Sequence, residues 1–230
     1  MELERLSSAV RPRSSWEAID LGFRLAQAWW WPILRATLLV AAPVFLIALA
    51  VFWDSPQWIG LVLWWLKPLY ERAPLEVLAQ AQFGHVPSLR ELARQWRSLV
   101  FRQAWQALTV RRLSLSRSFK TPGMQLEGMA GAARRARLGM LTQGKSRSGA
   151  QWLTFVCMHL EAIFYLAGLS LVGLLLPSEF EIDWLALFTD DGLWFNRLNV
   201  ALIFLGYALV APFYVAGGFA LYLNRRTELE

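Results

Sequence analysis

"ATLLVAAPVFLIALAVFW" occupies residues 36–53 and contains no charged side chain. As a helix this run measures about 27 Å, close to the hydrocarbon thickness of a bilayer. Pro43 within it predicts a kink, which lipid-embedded helices tolerate. The rest of the chain has the same character. It is 56% hydrophobic, with a mean hydropathy of +0.36 and thirteen tryptophans, whereas a soluble domain is typically about 45–50% apolar. The fold class that follows is all-α: a polytopic membrane protein with four transmembrane helices plus two or three cytoplasmic interfacial amphipathic helices.

Three further spans are expected on either side of a long polar segment. The second covers 56–78 and runs through Lys67 and Pro68. The third covers 152–176, interrupted by His159 and Glu161, and the fourth covers 198–223. Lysine and arginine test this order. Residues 67–149 hold fifteen basic side chains against Glu71, Glu76, Glu91 and Glu127. The stretch before the first span and the tail, with Arg225 and Arg226, are also basic. In contrast, "PSEFEIDWLALFTDDGLWFN" (177–196) holds five acids and no Lys or Arg. With four spans every basic segment falls on one side, so both termini and 67–149 are expected to be cytoplasmic. This accounts for the net charge of +6 without nucleic acid. The polar start "MELERLSSAVRPRSSWE" has no apolar core of a cleavable signal peptide, so the first span is expected to act as an uncleaved insertion signal.

Amphipathic stretches account for most of the remaining chain. In 14–31, Trp16, Ile19, Phe23, Ala26 and Trp30 fall opposite Glu17, Asp20, Arg24 and Gln27, and Ser14 with Glu17 has capping-box spacing. In 88–108, Leu89, Leu92, Trp96, Leu99 and Val100 form a stripe opposite Arg90, Arg94, Gln95 and Arg97. A third helix is expected over 124–142. Such basic, tryptophan-bearing helices suit the cytoplasmic headgroup zone or the cytoplasmic ends of the spans. The serine-rich, basic run 109–123 between them is expected to be solvated, the alternative being contact with anionic lipid headgroups or a phosphorylated ligand. Arg90, Arg94, Arg97, Arg111, Arg112, Arg134 and Arg135 form the candidate lipid or partner surface.

Residues 139–146, "GMLTQGKS", have the spacing of a phosphate-cradling P-loop. A working P-loop joins a buried strand to a helix. Here the preceding "GAARRARL" reads as an exposed helix and the following residues enter the third span, so no nucleotide is expected. The two histidines, His85 and His159, and the lone Cys157 do not make a metal-ligand spacing. No catalytic set, cofactor site or metal site is expected, and no intrachain disulfide is possible. The candidate site is an intramembrane polar cluster. Glu161 lies about 24 Å from the outer end of its span, Lys67 about 18 Å from the outer end of the second, and Arg35 at the inner edge of the first. A carboxylate at that depth needs a partner. Glu161 is therefore expected to pair with Lys67 or Arg35.

"RPRSSWEAIDLGF", "WWLKPLYERAPLEVLAQAQFG", "RRLSLSRSF", "QLEG" (125–128), "CMHLEA" and "GFALYLNRRTELE" together resemble an uncharacterised family of bacterial multi-pass inner-membrane proteins. The resemblance covers nearly the whole chain. It implies a membrane region usually followed by a C-terminal domain of unknown function, encoded near MoxR-type AAA ATPases. It is also distantly similar to the membrane domain of glycerophosphodiester phosphodiesterases. Neither resemblance supplies catalytic residues. The chain is thus expected to be a single membrane module, the N-terminal part of a longer protein, whose partners are the lipid bilayer, other membrane proteins or a MoxR-type ATPase system. Two functions are open. One is non-enzymatic scaffolding of a membrane or envelope complex through the basic cytoplasmic surface. The other is transport or lipid handling, with Glu161 and Lys67 along a polar pathway. A polar cavity converging on Glu161 from one membrane face favours the second; a dry bundle with a broad cytoplasmic patch favours the first.

Overall fold

Residues 11–101, 104–109, 112–143, 146–175 and 193–229 are described by the computed structural model, and among them the chain is helical with no strand. Three helices are long and apolar enough to cross a membrane: α2 (Trp30–Val51), α10 (Ser146–Leu175) and α11 (Leu193–Leu229) over Phe195–Leu229. This fits a membrane protein. The 36–53 run lies in α2, and Pro43 stays within the helix. Along α10 and α2 the outward side chains are mostly large and apolar, including Leu46, Ile47, Phe155, Ile163 and Leu166.

The region expected as the second span is two helices, α3 (Gln57–Tyr70) and α4 (Arg72–Ala81), broken at Glu71. Alone, α3 is about 21 Å long, shorter than a bilayer core. Prolines explain the break. Pro68 and Pro74 have no N–H, so the carbonyls of Trp64 and Tyr70 lose their usual helical donors. α4 can begin here because Pro74 falls in its first turn, where a missing N–H costs nothing.

The ends of the helices fix the course of the chain. α1 (Ser15–Ala28) precedes α2, and the backbone of Arg13 just before it exchanges two hydrogen bonds with Asn224 near the end of α11, at 2.7 and 2.9 Å. The far end of α2 meets the start of α11, where Arg197 Nη2 donates to Trp53 O at 2.8 Å. α3 then returns to the first end. There Glu71 reaches Arg117 of α8 (Arg117–Leu126), and Tyr222 of α11 donates to Glu127 at 2.9 Å. Three of the helices are long enough to cross a membrane, and α3 is a shorter apolar helix beside α2.

Small residues allow the closest crossings. A Cβ on Gly22 of α1 would come within 2.6 Å of Ala216 O on α11, so the helices touch backbone to backbone. This shifts the buried face of α1 to Ala18, Ile19, Gly22 and Ala26 and leaves Trp16 60% exposed. Ser14 caps α1, its Oγ accepting from Glu17 N at 3.2 Å.

The stretch expected as one helix over 88–108 is three short ones: α5 (Leu89–Arg94), α6 (Trp96–Phe101) and α7 (Ala104–Leu108). Leu92 and Val100 are buried, but Leu89 and Trp96 are exposed, because the bends rotate the stripe. The helix expected over 124–142 is likewise divided, into the end of α8 and α9 (Gly131–Leu141). Gly128 and Gly131, with φ of 64° and 58°, make the turn between them.

Candidate functional site

The residue "KPLYER" at 67–72 forms the hinge between α3 and α4, and each of its charges goes to a different partner. Lys67 Nζ lies 2.5 Å and 2.6 Å from the two carboxylate oxygens of Glu161 on α10. It also stands 5.0 Å from the centroid of the Tyr207 ring on α11. The pair is half-buried, with side chains 16% and 23% exposed. Thus the structure brings together two members of the candidate cluster. The third, Arg35, is exposed on α2 and is not part of the pair.

Glu71 and Arg117 form a second ion pair, which the sequence reading missed. Arg117 donates from Nη2 and Nε to the two Glu71 oxygens, at 2.6 and 3.0 Å, and the side chains are 10% and 3% exposed. Burial would lower the Arg117 guanidinium, but the charge of Glu71 and the hydrogen bonds between them raise it above the usual arginine value. A signal was present. Glu71 is one of four acids among fifteen bases in 67–149, and it directly follows the apolar run, where a charge must find a partner. Arg72 of the same hinge donates to the carbonyls of Leu99 and Val100, at 3.3 and 3.4 Å.

The run 109–123 is not solvated as expected. Among its described residues Arg112, Ser116, Arg117, Ser118 and Phe119 are buried. Arg112 is therefore not part of an outer surface. It stacks on Trp64, its guanidinium carbon 3.9 Å from the ring centroid, and donates to Trp64 O. That carbonyl is the one freed by Pro68, so the proline in α3 accounts for the position of an arginine some forty residues later. Thr154 on α10 donates to Leu115 O at 2.6 Å and fixes the other side of this segment, the strap formed by residues 112–123. Burial, and next the charge of Arg117, lower the Arg112 guanidinium below the usual value, although an arginine stays charged at neutral pH.

Two cavities meet at this place. One, of about 210 Å³, is lined mainly by apolar groups of α3 and α11, among them Leu63, Ile203 and Phe204. The other, of about 260 Å³, lies under the strap and includes Arg112, Arg117, Thr154 and Tyr214. Trp64, Lys67 and Glu161 line both. Tyr70 and Tyr207 line the first cavity and are more than nine-tenths buried, yet their hydroxyls have no hydrogen-bond partner among the described residues. Buried polar groups without partners are rare in proteins and mark strain, function or a bound molecule.

The other sequence candidates are dispersed. Arg90, Arg94, Arg97 and Arg135 are exposed. Arg134 is half-buried and donates to Gln106 at 3.1 Å, so it lies against the protein rather than facing outward freely. Arg111 lies outside the described residues. In the P-loop-like stretch, Gly139 lies within α9 and Ser146 is buried at the start of α10, while Gly144 and Lys145 lie outside the described residues. Cys157 is buried on α10 and His159 is exposed, its Nδ1 2.9 Å from Phe155 O. Comparison of the chain with protein-family models, curated proteins and solved structures returns no match.

Proposed function

We propose that this chain is a non-enzymatic, four-pass module of the bacterial inner membrane that holds an amphipathic molecule, drawn from the surrounding lipid, in the cleft divided by Lys67 and Glu161. Both termini and residues 67–149 are cytoplasmic in this reading. The course of the chain supports four crossings, since the residues before α1, those of α8 and the end of α11 meet at one end of the bundle. The excess of Lys and Arg in those same segments supports the orientation.

One observation carries the reading: an ion pair forms the common wall of an apolar cavity and a cationic one. A molecule with a hydrophobic body and a polar end matches such a divided space. A photoreactive lipid incorporated into membranes of producing cells tests the idea. Labelling is expected at residues around Gly60 and Ile203. Gly60 lines the apolar cavity, and a Cβ there meets nothing within 4 Å, so Gly60→Phe fills the space without displacing backbone. Labelling of the cleft that persists at full strength in Gly60→Phe sinks the proposal.

A second reading is favoured by the outer surface. Arg90, Arg94 and Arg97 are exposed on α5 and α6 beside exposed Trp96 and Phe101. This face suits anchoring of a cytoplasmic partner, and the family resemblance points to a MoxR-type ATPase system. Reversal of the three arginines to Glu is expected to abolish capture of that ATPase in this case. Unchanged capture rejects the scaffold.

A further inference from the structure

The two cavities differ in charge, and that difference identifies the polar end of the occupant. In the cavity under the strap the cations are Lys67, Arg112 and Arg117. Glu161 offsets Lys67 and Glu71 offsets Arg117. Arg112 has no carboxylate partner among the described residues, is 5% exposed, and its Nε has no hydrogen-bond partner. A guanidinium has five N–H donors, and the bond to Trp64 O uses one of them. Glu71 acts on Arg112 only from a distance, and a buried cation without an adjoining carboxylate is costly; an anion beside it lowers that cost.

We infer that the strap cavity binds the phosphate of an anionic membrane phospholipid, with Arg112 as its main contact, while the acyl portion occupies the apolar cavity beyond Lys67 and Glu161. The inference rests on the cleft reading above and adds the headgroup chemistry. Three features point to a lipid rather than a free ion. The two cavities share Trp64, Lys67 and Glu161 and so lie side by side, a headgroup's distance apart. The cleft borders are apolar and face outward: Trp64 on α3, Leu113 and Leu115 on the strap. And the cavity beyond the pair is walled mainly by apolar groups such as Leu63, Ile203 and Phe204, which suit acyl chains rather than a hydrated ion. Arginine matches phosphate geometry better than lysine does. Lys67 stands next to the proposed phosphate, so Glu161 and the phosphate compete for the same ammonium.

The full chain, purified in a neutral detergent and titrated with defined lipids under native mass spectrometry, tests this. Phosphatidylglycerol is expected to bind about tenfold or more tightly than phosphatidylcholine or diacylglycerol. Arg112→Gln is expected to reduce phosphatidylglycerol to the level of phosphatidylcholine, with Arg112→Lys in between. Glu161→Gln is expected to tighten phosphatidylglycerol binding by removing the competitor, a gain that a merely destabilised protein does not show. Equal binding of phosphatidylglycerol and phosphatidylcholine, unaffected by Arg112→Gln, overturns the headgroup assignment and leaves the cleft reading standing. Inorganic phosphate binding as tightly as the lipid overturns the lipid source. Absence of any lipid adduct above the detergent background overturns both this inference and the cleft reading.

Discussion

Lys67 and Glu71 are one helical turn apart, a spacing at which opposite charges on a helix pair with each other. Here they part. Lys67 takes Glu161 on α10, in a half-buried cleft bordered by two cavities, and Glu71 takes Arg117 on α8, with two parallel hydrogen bonds and almost no exposure. The hinge at Glu71 makes this possible, because the helix ends between them and their side chains no longer share a continuous face. The inner pair is almost wholly buried, with only Arg117 reaching the edge of the strap cavity, and behaves as part of the packing. The outer pair has space around it and unpartnered phenols nearby. Two ion pairs of similar length thus have different tasks, and what separates them is the surroundings rather than the distance.

The strongest way to break this comparison is to remove one partner of the buried pair. Glu71→Ala leaves the Arg117 guanidinium buried without its carboxylate, and a loss of about 3–5 kcal/mol of stability is expected. Denaturant unfolding of the purified chain, followed by tryptophan fluorescence, reads it. The double variant Glu71→Met, Arg117→Met is expected to recover much of that loss, since an apolar replacement of a buried pair is often tolerated. At the outer pair the same operation is expected to do less. Lys67→Met places an apolar side chain in a half-exposed position, and a loss of about 1–3 kcal/mol is expected, between the values for exposed and buried pairs. Equal losses at the two sites erase the distinction between them. The charge-swapped variant Lys67→Glu, Glu161→Lys sharpens it: stability is expected to return, but the cleft then presents a carboxylate where the ammonium stood.

The apolar runs, the helical class and the need of Glu161 for a cation, Lys67 or Arg35, were legible in the sequence, because each follows from a local rule. A long uncharged run needs lipid or a core, and a charge inside such a run needs a partner. What was not legible depended on contacts distant in the chain. The serine-rich run with Arg112 and Arg117 reads as solvated by composition, yet it is buried because Pro68 frees the Trp64 carbonyl and Glu71 requires a cation. Trp16 looked like part of the buried face of α1, but the 216–218 run admits only small groups, so Gly22 and Ala18 took the contact. The sequence also showed the glycines at 128 and 131 without showing that they divide one expected helix into two.

That crossing provides a test of intermediate size. Gly22→Val places a branched side chain against Ala216 O and Gly217, where an added Cβ already comes within 2.6 Å. The helices must separate, and a destabilisation of about 1–3 kcal/mol is expected. Protease cleavage within 11–28 is expected to become faster, while the environment of Trp64 near the cleft stays as it was. Accelerated cleavage together with loss of lipid binding indicates that α1 and the cleft are one cooperative unit rather than two regions.

The smallest effect is expected at the start of α5, far from either ion pair. Ser88 and Glu91 form a reciprocal cap: Ser88 Oγ accepts from Glu91 N at 3.3 Å, and Ser88 N donates to a Glu91 carboxylate oxygen at 2.7 Å. The backbone N–H of Ser88, then its hydroxyl, hold the Glu91 carboxyl below its ordinary value of 4.5. A carboxyl with a lowered value in the folded chain stabilises the fold when ionised. That contribution is complete above the ordinary value and is lost as pH falls through the lowered one. Amide exchange at Leu92 and Ala93 is therefore expected to be unchanged from neutral pH down to about 4.5 and to rise relative to the intrinsic rate below it. Glu91→Gln is expected to show a shallower dependence, since an amide accepts the same bond without titrating. Because the carboxyl is exposed, water screens its charge and the change stays confined to α5. A transition that instead spreads to α8 or α10 means that α5 and those helices open as one cooperative unit.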